Sequence, residues 1–287
     1  VQQNAALCGP NDTDFTTNDA INDDLVAKVL KICDHAEWTP ISDSDGIKVW
    51  RTTLPPDLAV GGRTLGETSK FFCVMAQGVL DAGPDKIKRY FMDNSRVGEY
   101  NEYCKEILDV ETIDVNTKIT WSASGKVGPF KERDFVTRVH YRTLPDGSFV
   151  VANRAETSDK APTTERYLRM EISVGGNVLR PVGGDADKTH LTVLTHVNPG
   201  GIADTRLGAM ILNSAAATGP LKFIHGLRSC IVKDKRASAE ASAAAAEGDD
   251  EVAHDDDDFT RLLHEQMQAD SRAGRRSTVL TCPAAIT

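Results

Sequence analysis

The stretch Val127–Tyr141 reads VGPFKERDFVTRVHY, a loop that runs into a strand. A Gly-Pro pair breaks the chain at its start, and from Arg133 onward the residues alternate with a period of two. Arg133, Phe135, Thr137, Val139 and Tyr141 share one face, and Asp134, Val136, Arg138 and His140 share the other. The first set is the more apolar and is assigned inward. The two neighbouring charges, Arg133 and Asp134, therefore part onto opposite faces and do not make one catalytic device.

The same period continues on both sides. GIKVWRT (46–52), SKFFCVMAQGVL (69–80), KEILDVETI (105–113) and KITWSAS (118–124) read as strands. So do SFVVANRAE (148–156), ERYLRMEISV (165–174) and THLTVLTHV (189–197). Turn signals stand at Pro145-Asp146-Gly147, Gly175-Gly176-Asn177 and Gly183-Gly184-Asp185. A run of antiparallel strands follows from this spacing.

Helical periodicity brackets the strands. Residues 1–17 are polar and expected to be loose. NDAINDDLVAKVLKICDHAEW then places Ile21, Leu25, Val29 and Ile32 on one helix face, with Asn18 or Asp19 as cap. A short helix is expected over 84–93, with Pro84 in its first turn and Ile87, Tyr90 and Phe91 on one side. After NPGG (198–201), Leu207, Met210, Ile211, Leu221, Ile224, Leu227 and Ile231 can share one apolar stripe, with a kink at Gly219-Pro220. The segment 233–258 is low in complexity and acidic, so disorder is its default. DFTRLLHEQMQAD (258–270) can form a short amphipathic helix.

The expected fold class is α+β: an antiparallel sheet covered by a long C-terminal helix, with a hollow left between them where the sheet curves. The chain divides into an N-terminal segment and helix (1–37), a main domain (38–233) and an acidic tail (234–287).

Composition narrows the function. The 287 residues carry a net charge of -9, and eight acids lie within 247–258, which leaves about -1 for the rest. A nearly neutral body gives a nucleic-acid partner little to hold. The six cysteines are scattered without a Cys-x-x-Cys pair, which signals neither a zinc site nor a redox pair and fits free thiols in a reducing compartment. No run of 18 apolar residues is present, and residue 1 is Val with no basic-then-apolar leader pattern after it. The Walker A, Gly-x-Gly-x-x-Gly, His-Glu-x-x-His and Gly-x-Ser-x-Gly patterns are missing as well. His190 and His196 sit roughly 20 Å apart along their strand, too far to share a metal. No cofactor or metal is implied.

Several pieces in fixed order resemble a START domain, the lipid-transfer module of the steroidogenic acute regulatory protein family. They are Trp38 with DGIKVWR (45–51), VGPFKERDFV (127–136), PDGSFVVANRAETSDKAP (145–162), YLRM (167–170), THLTVLTHVNPGG (189–201) and LNSAAATGPLKFIHGLR (212–228). The resemblance implies a helix-grip fold, in which a curved antiparallel sheet grips the C-terminal helix around a tunnel for one sterol, phospholipid or sphingolipid. It implies transient contact with membranes, a cytoplasmic location peripheral to them, and no catalysis.

Alternation and the resemblance together give the expected lipid-facing set. From the strands come Trp121, Arg133, Phe135, Val139, Tyr141, Val151, Asn153 and His196, and from the final helix Met210, Ile211 and Phe223. Sterol-carrying members have an inward Glu and a paired Arg. Here those places hold Thr120 or Trp121, and Val139, so the pair is missing. HVNPGG is nearer to the ceramide-carrying branch, and Asn153 falls where that branch has a headgroup-binding Asn. The branch's other polar contacts would fall at Asn101, Ser122 and Gly219. The alignment turns Ser122 inward, whereas alternation favours Trp121. Gly200-Gly201 and Gly219-Pro220 are candidate hinges of a lid. An enzyme on the same fold would need an inward group such as His196 or Arg133, and a scaffold would use the acidic tail to recruit a protein partner.

Overall fold

The computed structural model describes residues 12–35, 37–55, 71–126, 131–183, 185–200, 208–210, 213 and 218–252; for 12–16 and 245–252 it describes the backbone alone. The chain forms two compact units, Val1–Ile231 and Val232–Thr287.

The first unit holds one open sheet of ten strands. They are β1 (Thr39–Ser44), β2 (Ile47–Thr52), β3 (Cys73–Leu80), β4 (Cys104–Asp114), β5 (Thr117–Ser124), β6 (Arg133–Thr143), β7 (Phe149–Ala155), β8 (Leu168–Arg169), β9 (Glu171–Val182) and β10 (Asp185–Asn198). The order across the sheet is β1-β2-β3-β10-β9-β7-β6-β5-β4, antiparallel throughout, with β8 alone running parallel beside β6. Asp45 and Gly46 close the β1–β2 hairpin with φ of 53° and 67°, the left-handed pair that a tight two-residue turn needs.

Each face of the sheet has its own cover. Helix α1 (Asp12–Cys33) lays Leu25, Val26, Val29 and Ile32 on the outer face, against Met75, Val150, Ala152, Val174, Val178 and Leu194. Polar bonds fix its register: Arg138 donates to Asn18 Oδ1 at 3.1 Å, and Asn22 donates to Thr117 Oγ1 at 3.1 Å. On the inner face lie α2 (Pro84–Met92), the single turn α3 (Val97–Tyr100) and, as far as Ile231, α4 (Thr218–Val252). Ile224, Leu227 and Ile231 of α4 pack with Ile47, Val49, Ala76 and Leu80. Two features clamp this part of α4. Arg228 donates to the carbonyls of Val79 and Asp45, and a Cβ added at Gly226 would lie 2.2 Å from the Tyr100 carbonyl oxygen.

Several expectations need correction. Helix α1 begins at Asp12, so Asn18 and Asp19 are not its cap; Asn18 serves instead to dock the helix on Arg138. Gly175-Gly176-Asn177 is no turn but the middle of β9. A Cβ at Gly176 would meet Val29 Cγ1 at 2.7 Å, so the glycine is there to let α1 approach. The strand expected over 165–174 is broken at Met170 into β8 and β9. Pro220 does not kink a helix; it stands in the first turn of α4, where its missing N–H has no intrahelical partner to lose. Within the second unit the low-complexity segment is helical as far as Val252, in keeping with the high helix propensity of its alanines. The amphipathic helix expected over 258–270 lies outside the described residues. β1 was not anticipated, because TPISDS is polar and carries Pro40, which an edge strand tolerates.

Candidate functional site

A cavity of ≈ 490 Å³ lies between the inner face and the start of α4. Phe71, Phe72 and Val74 of the β3 side, Val193, Thr195 and Val197 of β10, Ile172 of β9, and Arg133 and Phe135 of β6 form its sheet wall. Asn101 and Tyr103 border it where α3 gives way to β4, and Thr218, Gly219, Pro220 and Phe223 close it from α4. Most of these side chains are apolar, and the few polar ones are spread around the wall, the usual make-up of a site for a mainly apolar ligand.

Four of the expected lipid-facing residues meet at this cavity: Asn101, Arg133, Phe135 and Phe223. Phe223 is braced from behind, stacked on Phe91 at 6.0 Å and edge-on to Tyr100 at 5.4 Å. Asn101 caps α3, and its side-chain oxygen accepts from the Tyr103 amide at 3.3 Å. Arg133 is buried and donates to the Lys131 carbonyl; burial lowers its pKa, though a guanidinium stays charged.

Other expected residues face the same side farther along the sheet. Ser122 pairs with Phe135, and Asn153 pairs with Val139. Val139, Tyr141 and Val151 belong to the core between the sheet and the inner helices. The Tyr141 hydroxyl donates to the Phe91 carbonyl at 3.2 Å, and burial raises its pKa, so it serves as a neutral structural donor.

Three expected residues are elsewhere. Trp121 points to the outer face, where its Nε1 donates to Asp134 at 3.0 Å and its ring meets Tyr167. The conflict between Trp121 and Ser122 is thus resolved in favour of Ser122, because β5 keeps strict register with β6 from Thr117 to Ser124. His196 is paired with Val174, an outer-face core residue, and its Nε2 lies 3.2 Å from the Phe71 carbonyl oxygen. Burial lowers the His196 pKa, so the ring is held neutral. Met210 is 63 % exposed and does not line the cavity. Ile211 lies outside the described residues.

Asp134 faces away from the cavity, as alternation expects, and is paired there. It is 1 % exposed. Arg169 grips it with two bonds of 2.9 Å. Burial would raise its pKa, yet the hydrogen bonds from Arg169 and Trp121 outweigh that and hold the carboxyl below its usual range. The neighbouring pair Arg133-Asp134 is therefore one cavity residue and one half of a buried ion pair behind the wall.

The sequence reading passed over Phe72, Tyr103, Ile172, Val193 and Thr195 as cavity residues. Inward alternation along β10 would have found Val193 and Thr195. Nothing local marks Tyr103, which reaches the site through the α3–β4 junction.

Comparison with known proteins gives a consistent picture. The model of the START domain family matches residues 22–235. Steroidogenic acute regulatory protein, mitochondrial, from Gallus gallus is 26 % identical over 196 residues, covering 66 % of this chain and 65 % of that protein. The chain thus spans slightly less than two thirds of that relative's length. Human StAR-related lipid transfer protein 5 superposes with a TM-score of 0.65 at 14 % identity, covering 77 % of this chain and 99 % of that one. The STAR-related lipid transfer protein (fragment 25–204) from Xanthomonas axonopodis has a TM-score of 0.54 at 21 % identity, covering 67 % and 97 %. The likeness to both structures is one of fold: a curved, unclosed antiparallel sheet with a C-terminal helix.

Proposed function

The chain belongs to the START domain family, whose members bind and transfer lipids, and we propose that it encloses one lipid in the cavity beside α4 and carries it between membranes. The observation that carries this reading is the cavity itself: ≈ 490 Å³ between sheet and helix, walled mainly by Phe, Val, Ile, Met and Pro. Water is a poor solvent for an acyl chain, at about 0.8 kcal/mol per CH₂. A chain moved into such a wall gains on the order of 10 kcal/mol before ordering costs. That gain offsets what the chain loses on leaving a bilayer, so a lipid can cross water inside the protein without any bond being made or broken.

Phe135, Phe223, Val193 and Ile172 supply the apolar contacts in this reading, and Asn101, Ser122, Arg133 and Asn153 supply polar ones. The protein works at membrane surfaces from the cytoplasm. No described helix is long and apolar enough to cross a membrane. The former candidate for an enzyme's inward base, His196, is turned to the outer face and bonded to backbone, which favours a carrier over a hydrolase or cyclase.

The test is to block the cavity. Thr195→Trp places an indole in the cavity that Phe135 and Ile172 also line. Uptake of fluorescent sterol, ceramide and phosphatidylcholine analogues from vesicles is expected for the native chain with at least one class, and its loss in the variant. Failure of the folded native chain to take up any class, or uptake untouched by Thr195→Trp, would refute the assignment.

A further inference from the structure

We propose that Phe223 is an aromatic partition across the hollow, and that it makes the cavity a site for lipids with a single hydrocarbon chain. This rests on the lipid-carrier reading above and adds to it a ligand class and the residue that sets it.

Size gives the class. An apolar cavity of about 150 Å³ holds one benzene, or roughly 25 Å³ per carbon. On that scale ≈ 490 Å³ takes about 20 carbons, which is one long acyl chain with its ester. Two such chains need about twice the room, and a close-packed interior has little slack to lend.

The partition is braced. Phe223 lines the cavity and also packs against the core cluster behind it. Its ring is stacked on Phe91 at 6.0 Å and edge-on to Tyr100 at 5.4 Å. Phe91 is tied to the sheet, because its carbonyl accepts the Tyr141 hydroxyl at 3.2 Å. Tyr100 is pinned twice. Its hydroxyl donates to the Tyr90 carbonyl at 3.0 Å, and its own carbonyl oxygen would lie 2.2 Å from a Cβ at Gly226. Neither neighbour is free to retreat and let the Phe223 ring swing aside.

Space continues beyond the ring. Ser122, Val139 and Asn177 face inward: Ser122 is paired with Phe135, Asn177 is paired with Val193, and Val139 is two residues from Tyr141 on β6. All three are half-buried, whereas Leu179 and Val151 on the same covered face are buried. None of the three lines the cavity. Half-buried side chains beneath a cover mark space that packing has not filled. The hollow is therefore larger than the cavity. Phe223, the last cavity residue along α4, stands between the two parts.

The experiment offers the full chain 1-palmitoyl-glycerophosphocholine and 1,2-dipalmitoyl-glycerophosphocholine, which share head and chain and differ in the number of chains. Both are presented in equal amounts in the same vesicles, and the lipid held by the recovered protein is counted by native mass spectrometry. The native protein is expected to hold the one-chain lipid at least about tenfold more often. How readily each lipid leaves a vesicle is common to all variants, so the change in ratio is the readout. Phe223→Ala should lower the ratio at least about fivefold by gaining the two-chain lipid, a gain that a loss of folding cannot produce. Phe223→Leu carries the same expectation should the alanine variant not fold. Phe91→Ala, outside the cavity lining, should shift the ratio the same way by freeing the ring to move. A native ratio within about twofold of unity, or a native-like ratio in the variants, would overturn the proposal. Uptake of other lipids but of neither of these would overturn it as well and leave the carrier reading standing. If no lipid of any class binds the native chain, the carrier reading fails and this one with it.

Discussion

Arg133 and Asp134 stand side by side in the chain and do unrelated work. Arg133 borders the cavity, whereas Asp134 joins Arg169 and Trp121 in a buried network on the other face. Removing one partner of such a pair strands the other charge, so Asp134→Ala should cost about 3–5 kcal/mol in denaturant unfolding. A cost below about 1 kcal/mol would place the pair among weak surface bridges. The pH dependence follows from groups of two kinds. Asp134 and Glu156 have carboxyl pKa values held below normal by Arg169 with Trp121 and by Arg138 with Arg154, each against the opposing effect of burial. Their contribution is present above the unfolded value of about 4 and is lost as pH falls through the folded value. His140 and His196 have imidazole pKa values lowered by burial, so below about 6.5 the unfolded chain takes up protons first. The melting temperature should therefore decline gently below pH 6.5 and steeply below pH 4. A flat profile between pH 7 and 3 would contradict these assignments.

At the scale of elements, contact distance decides what the sheet can carry. Val29 of α1 lies so close to Gly176 that a methyl group there would overlap it at 2.7 Å. Gly176→Ala should cost about 1–3 kcal/mol, and Val29→Ala should recover part of that in a double-mutant cycle. Additive losses would mean that the two positions do not touch. Helix α4 is clamped from Ile224 onward by Gly226 against Tyr100 and by Arg228 on Val79 and Asp45. The clamp leaves Gly200, at φ 61°, as the proposed hinge of a lid. Hydrogen exchange on adding lipid vesicles should change there and not in 224–231; enhanced exchange in 224–231 would show that the whole helix swings.

Much of this was legible in the chain. Alternation from Arg133 to Tyr141 separated wall from backing, and Pro84 with Ile87, Tyr90 and Phe91 located α2 correctly. What misled had physical causes. Gly175-Gly176 has the composition of a turn, but Gly176 answers to the helix above the sheet, a long-range effect. Trp121 looked like a cavity residue because it is large and apolar; its N–H needed an acceptor, and Asp134 on the outer face supplied one. Tyr103 gave little warning, since a cavity wall is set by which elements meet.

Taken whole, the first unit gathers the sheet, its two covers and the cavity within Val1–Ile231, and the family match ends at residue 235. A chain ending at Lys235 should therefore keep its lipid affinity within about twofold. The central claim is that one lipid occupies the cavity. Native mass spectrometry of the purified chain tests it most directly. The account predicts a species heavier by the mass of a single lipid, identified after extraction, which Thr195→Trp lacks. A native chain that stays at its bare polypeptide mass after exposure to sterols, sphingolipids and phospholipids would contradict it.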